Sequence, residues 1–102
     1  MTPFFERVED RMWTLHTCLV LGVDPHPDDL PEPTGEAALA WSLDLLEKAG
    51  PHAVAVKPNA AFFEALPGGT EALRRFVEAC EDRPTQLTRL VDVIEGREEP
   101  PQ

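Results

Sequence analysis

Two short apolar runs, each closed by a polar residue and a proline, constrain this chain more than any other feature. Cys18-Leu19-Val20-Leu21-Gly22-Val23 ends at Asp24-Pro25, and Ala53-Val54-Ala55-Val56 ends at Lys57-Pro58-Asn59. A short apolar run bounded by turn residues is the pattern of a strand buried on both faces. A helical segment separates the two runs. Thr34 is placed to cap it, Leu39, Leu43 and Leu46 mark one stripe, and Gly50-Pro51 stops it. Phe62 and Phe63 sit on a further helical turn, Gly68-Gly69 breaks it, and Thr70 opens a helix with Leu73, Phe76, Val77 and Cys80 on one face. Strands alternating with helices pair in parallel through right-handed crossovers. The expected class is α/β: parallel strands over residues 18–23 and 53–57, with helices over 34–49 and 70–81 packed outside them.

The flanks are of a different kind. Thr2 can cap and Pro3 suits the first position of an N-terminal helix, and Phe5, Val8, Met12 and Leu15 follow at helical spacing. Residues 25–33 hold four prolines and form an irregular loop. After Asp82 the rhythm calls for a third apolar strand. Instead Leu87, Leu90, Val91 and Ile94 recur at helical spacing up to Gly96, and Arg97 to Gln102 reads as a disordered tail. The chain thus divides into an α/β region over 1–82 and a divergent helix with a disordered acidic tail over 83–102. Two parallel strands leave unpaired edges, and a domain of this size buries only about 60–65% of its unfolded surface. Self-association or weak cooperativity is the expected consequence.

Charge removes several function classes. Acids outnumber bases 19 to 9, a formal charge of −10, with Lys48 and Lys57 the only lysines. Nucleic acids and anionic membranes both require clustered Lys and Arg, so neither is an expected partner. No apolar run reaches the length of a membrane span. Glu6, Glu9 and Asp10 contradict a secretory leader, and a cytoplasmic location follows. In a reducing compartment Cys18 and Cys80 are expected to be free and buried.

Asp24 and Lys57 are the most informative pair. Each is the first polar residue after a strand, and the carboxyl ends of parallel strands lie on one rim where α/β folds bind ligands. An acid and an ammonium there can share one small ligand; alternatively both are solvated strand ends. Other candidates are plainer. His16, His26 and His52 lie on separate elements without metal-ligand spacing. Asp24, Asp28 and Asp29 lack the spacing and central glycine of a calcium loop. Gly68-Gly69-Thr70 has no Walker lysine and reads as a helix start. Trp13 and Trp41 read as packing residues. No Ser-His-Asp or Cys-His arrangement is present.

Two stretches carry a family resemblance. Val20-Leu21-Gly22-Val23-Asp24-Pro25-His26-Pro27 resembles the first strand of orotidine 5′-phosphate decarboxylase, longer bacterial subfamily. Val23 stands where leucine is more usual. Val56-Lys57-Pro58-Asn59-Ala60-Ala61-Phe62-Phe63-Glu64-Ala65-Leu66 resembles its second strand and following helix. The resemblance covers residues 3 to 81 and implies two βα units of a (β/α)8 TIM barrel, a partial barrel.

That family converts orotidine monophosphate to uridine monophosphate and carbon dioxide without cofactor or metal. The resemblance implies that Asp24 hydrogen-bonds the ribose hydroxyls. It also implies that Lys57 reaches the ribose and orients the catalytic charge array, so that both are substrate-binding and Lys57 is also catalytic. The family's array, Asp-x-Lys-x-x-Asp, comes from its third strand. Lys48 and Lys57 have Leu46 and Ala55 two positions earlier, so Asp-x-Lys occurs nowhere here. Two expectations follow. One is a truncated or frameshifted decarboxylase product, inactive alone and binding nucleotide weakly. The other is a non-catalytic interaction or assembly module derived from a half-barrel.

Overall fold

The computed structural model describes residues 4–81. The expected Thr2 cap and the expected helix and tail over 83–102 lie outside those residues. In chain order the elements are α1 (Phe4–Leu15), β1 (Val20–Val23), α2 (Gly35–Ala49), β2 (Ala55–Pro58), α3 (Ala60–Glu64) and α4 (Gly69–Glu81), with 3₁₀ turns at Pro27–Asp29 and Gly50–His52. β1 and β2 pair in parallel, with Val20 opposite Ala55, Leu21 opposite Val56, Gly22 opposite Lys57 and Val23 opposite Pro58. Further backbone bonds, Val54 N–H to the Leu19 carbonyl and Asn59 N–H to the Val23 carbonyl, continue the pairing at each end, both at 2.9 Å. The strands are shorter than the apolar runs that mark them, but their pairing is as expected.

Local chemistry sets the helix ends. Thr34 has extended backbone, and its Oγ1 accepts from Ala37 N–H at 3.2 Å, satisfying an orphan donor of α2. Glu36 in the first turn and Lys48 in the last complement the helix dipole. Asn59 caps α3 in the same way, its Oδ1 accepting from Ala61 N–H at 3.2 Å. On the exposed face of α4, Arg74 bridges Glu71 and Glu78. Its hydrogen bond to Glu71 holds that carboxyl below its usual range and raises the guanidinium.

α2 and α4 pack on the same side of the sheet, side by side, both antiparallel to the strands. Their N-termini meet backbone to backbone. Gly35 N–H donates to the Pro67 carbonyl at 2.8 Å. A Cβ at Gly35 would stand 2.4 Å from the Gly68 oxygen, and one at Gly69 only 1.6 Å from the Phe63 oxygen. The core beneath is built from Val23, Leu46, Val56, Phe63, Phe76 and Cys80, all essentially inaccessible. The Phe63 and Phe76 rings stack at 6.2 Å between centroids. Full burial of such side chains stabilises by about 1.5–3 kcal/mol each.

Three expectations are corrected. β1 is not buried on both faces: Val23 is inaccessible, but Val20 is 44% exposed. Cys18 is exposed rather than buried, although Cys80 is buried as expected, and neither forms a disulfide among the described residues. Trp13 is not a packing residue, being 73% exposed, whereas Trp41 does pack against the core. The shared reason is that α2 and α4 cover one face of the sheet, while the opposite side of β1 and the outer side of α1 have no comparable cover among the described residues; on β2 the same face is open only at Lys57, since Ala53 and Ala55 are buried. α1 is tied to the body by Arg11. Its Nε donates to the Ala53 carbonyl at 2.7 Å, and its Nη2 donates to the carbonyls of Pro51 at 3.2 Å and Gly50 at 3.5 Å. Desolvation there pulls the guanidinium pKa down from the usual arginine value.

The glycine contact generates an ordering of stabilities. Gly68 has φ of +73° but open space where a Cβ would stand, so Gly68→Ala should cost about 1–2 kcal/mol in backbone strain alone. Gly69→Ala must push two backbones apart and should lie at or above the top of the roughly 1–3 kcal/mol range for overpacking. Urea midpoints at unchanged m-value measure both; a costlier Gly68→Ala would show that close approach is not the constraint. Ser42 gives a second expectation. Its Oγ is buried with no hydrogen-bond partner among the described residues, so Ser42→Ala should be neutral or stabilising by up to about 1 kcal/mol.

Candidate functional site

Side chains alternate along each strand, and the register fixes which ones share a face. Val23, Val56 and Pro58 face the helices and are buried. Gly22 and Lys57 are register partners on the opposite face, and both are exposed. Asp24 lies two residues beyond Gly22, so the same alternation carries it to that face, and it too is exposed. From strand geometry, two residues along and one strand across place the Asp24 and Lys57 Cα atoms about 8 Å apart. Both side chains lie at the carboxyl end of the sheet. Neither has a side-chain hydrogen bond or ion pair among the described residues. Lys57 is the only charged residue of the two strands. Gly22 leaves a gap between them: a Cβ there would meet nothing within 4 Å.

The loop after β1 frames this end. His26 N–H donates to the Asp24 carbonyl at 2.7 Å. The His26 Nδ1 accepts from Asp28 N–H at 3.1 Å, capping the 3₁₀ turn at Pro27–Asp29, and lies 3.6 Å from an Asp28 carboxylate oxygen. Its ring tilts against Phe62 of α3 with centroids 5.7 Å apart. His26 thus links the β1 loop to the β2–α3 segment, a role that sequence reading missed. The signal available was His26 directly after Asp-Pro, with Phe62 close behind Lys57-Pro58-Asn59. His16 and His52 precede β1 and β2 and so lie towards the opposite end of the sheet. Among the described residues no group of three or more His, Cys, Asp or Glu side chains is arranged to hold a metal ion. Nor is any described helix long and apolar enough to cross a membrane.

No family model matches the chain. Curated relatives do. It is 36% identical over 77 residues to orotidine 5′-phosphate decarboxylase of Haloarcula marismortui, an alignment spanning 72% of this chain and 27% of that protein. It is 45% identical over 74 residues to the enzyme of the same name from Deinococcus radiodurans, spanning 69% of this chain and 26% of that one. The chain resembles an N-terminal piece of orotidine 5′-phosphate decarboxylase. Among solved structures, a chain described as a candidate orotidine-monophosphate decarboxylase from Toxoplasma gondii superposes with a TM-score of 0.73 at 36% identity. That match covers 83% of this chain and 29% of the other. The chain therefore spans about a quarter to a third of the relatives it matches. Two βα units of a TIM barrel account for its architecture. In that frame the face carrying Gly22, Asp24 and Lys57 is the one that looks into a barrel.

Exposure of both side chains leads to a stability expectation. Asp24→Asn and Lys57→Met remove no packing and no ion pair, so each should shift unfolding free energy by no more than about 0.5 kcal/mol. Denaturant melts check this. A loss of about 2 kcal/mol in either, the size of a core or network effect, would mean that the residue holds the fold rather than a ligand.

Proposed function

We propose that this body forms the ribose-holding corner of an orotidine 5′-phosphate decarboxylase site, the site that converts orotidine monophosphate to uridine monophosphate and carbon dioxide. The observation that carries the reading is the pair Asp24 and Lys57, exposed on one face at the carboxyl ends of adjacent parallel strands. In this role the Asp24 carboxylate accepts hydrogen bonds from the ribose hydroxyls. The Lys57 ammonium donates to the ribose and orients the charges that act on the base. The gap at Gly22 gives the sugar room between them.

The decarboxylation itself needs more than this corner. Loss of the carboxylate leaves a carbanion, which must be stabilised by preorganised charge in a dry site. The family supplies that charge with Asp-x-Lys-x-x-Asp, which these 102 residues do not contain. One ammonium in open water offers about 1 kcal/mol at 4 Å, less than tenfold in rate. The 102-residue chain on its own is therefore a nucleotide-binding body without turnover. Its excess of acids further opposes a dianionic ligand.

Two measurements on the purified chain test this. Titration with uridine monophosphate, followed by amide chemical shifts, should give a Kd no tighter than roughly millimolar, about −4 kcal/mol. Shifts should concentrate around residues 22–26 and 57–59 and weaken in both Asp24→Ala and Lys57→Ala. The absorbance of orotidine monophosphate should stay constant over the uncatalysed control. Shifts elsewhere on the surface, or binding indifferent to both substitutions, would remove the ribose assignment. Turnover that vanishes in Lys57→Ala would overturn the expectation of inactivity.

A further inference from the structure

Asp24 and Lys57 can share one ligand only if the loop that carries Asp24 keeps a fixed place beside β2. The strand ladder alone does not secure this. Among the described residues its last bond at this end is Asn59 N–H to the Val23 carbonyl, and Asp24 already belongs to the proline-rich loop. Pro25 and Leu30 anchor that loop from beneath, since both are buried. Residues 26–29 between the anchors are exposed, so burial does not position them.

His26 supplies the missing restraint through its main chain, its Nδ1 and its ring. Its N–H donates to the Asp24 carbonyl at 2.7 Å, an i to i+2 bond across Pro25, whose fixed φ suits the centre of such a turn. Its Nδ1 accepts from Asp28 N–H at 3.1 Å. Its ring stands 5.7 Å from the Phe62 ring, tilted by 52°, a spacing at which aromatic pairs attract. The first contact holds the Asp24 backbone, and the second fixes how the imidazole is turned. The third ties it to α3, which Asn59 caps directly after β2. These contacts also set the tautomer. A ring nitrogen that accepts from an N–H carries no proton, so the neutral imidazole holds its proton on Nε2. The Asp28 carboxylate lies 3.6 Å from the same Nδ1, beyond hydrogen-bond range, and does not compete for it.

We propose that His26, as the neutral imidazole protonated on Nε2, is the positioning residue of this corner: it holds Asp24 in place relative to Lys57 by tying the β1 loop to α3. It acts through Asp24. What the corner binds rests on the ribose reading; how Asp24 is held does not.

Two substitutions separate the acceptor from the ring. His26→Asn keeps an acceptor at the same bond separation from the backbone and removes the ring. His26→Phe keeps a ring and removes the acceptor. Without nucleotide, the isotope-labelled wild-type chain should show a nitrogen–nitrogen coupling across the bond from Asp28 N–H to Nδ1. Exchange of the Asp28 amide should speed about two- to tenfold in His26→Phe, the size of one lost hydrogen bond, and stay near wild type in His26→Asn. His26→Asn and Phe62→Leu break the same ring contact. Each should therefore move the amide resonances of both Asp24 and Asn59, and the double variant should move them no further. With uridine monophosphate, affinity should weaken about two- to tenfold in either single variant, the size of one aromatic pair. Absence of the coupling in the wild-type chain, additive effects in the double variant, or shifts confined to residues 26–28 would overturn the proposal. So would equal affinity of the wild-type and His26→Asn chains for nucleotide bound at residues 22–26 and 57–59. No nucleotide shifts there in the wild-type chain would instead remove the ribose reading, and the nucleotide-free measurements still decide the role of His26.

Discussion

Parallel pairing of β1 with β2 decides which side chains of this molecule are available for chemistry. With Gly22 opposite Lys57 and Val23 opposite Pro58, the pleat sends every second residue to the helices and the others to the open side. Shifting the register by one residue would bury Lys57 against Phe63 and Phe76 and expose Val56. Burying an unpaired ammonium costs several kcal/mol. The same step would also forfeit the burial of a valine. The register is thus enforced by the penalty for the alternative as much as by the ladder itself, and the polar corner at the strand ends is its by-product.

Helix packing then depends on the absence of side chains. Gly35 lets the start of α2 approach the Gly68 carbonyl at the start of α4, and Gly69 lets α4 approach the Phe63 carbonyl of α3, where a Cβ would overlap in each case. This contact fixes the N-terminal ends of both helices next to the loops that carry Asp24 and Asn59. Asn59 spends its carboxamide oxygen on capping α3, and His26 spends its Nδ1 on the turn at Pro27–Asp29. Asp24 and Lys57 are left as polar side chains of the corner with no partner among the described residues.

Much of this was legible from residues alone. Apolar runs closed by Asp-Pro and Lys-Pro announce strands whose polar ends share a rim, and Thr34 and Gly50-Pro51 mark α2 to within a residue. What escaped was tertiary. Periodicity says that Phe5, Val8 and Met12 form a stripe, but it does not say what covers the stripe, and so Trp13 and Cys18 were misplaced. An apolar run cannot distinguish one covered face from two, and so the exposure of Val20 was missed. Gly68-Gly69 read as a plain break because a glycine required by close approach carries no local signature. The pairing of His26 with Phe62 joins segments far apart in the chain, and spacing rules do not reach that far.

The two ends of the sheet answer to different demands. At the carboxyl end Asp24 and Lys57 stand at the close of their strands, at the end where the close glycine contact lies. At the other end the Arg11 side chain of α1 reaches three carbonyls, all within Gly50–Ala53. Ala53 and Lys57 are separated by about 13 Å of extended chain, well beyond a Debye length at physiological salt. Charges near α1 therefore perturb the corner little. Only a change that slides β2 along β1 couples the ends, and the buried trio Val23, Val56 and Phe63 resists that slide. The molecule is built so that its polar corner and the α1 end can be altered separately.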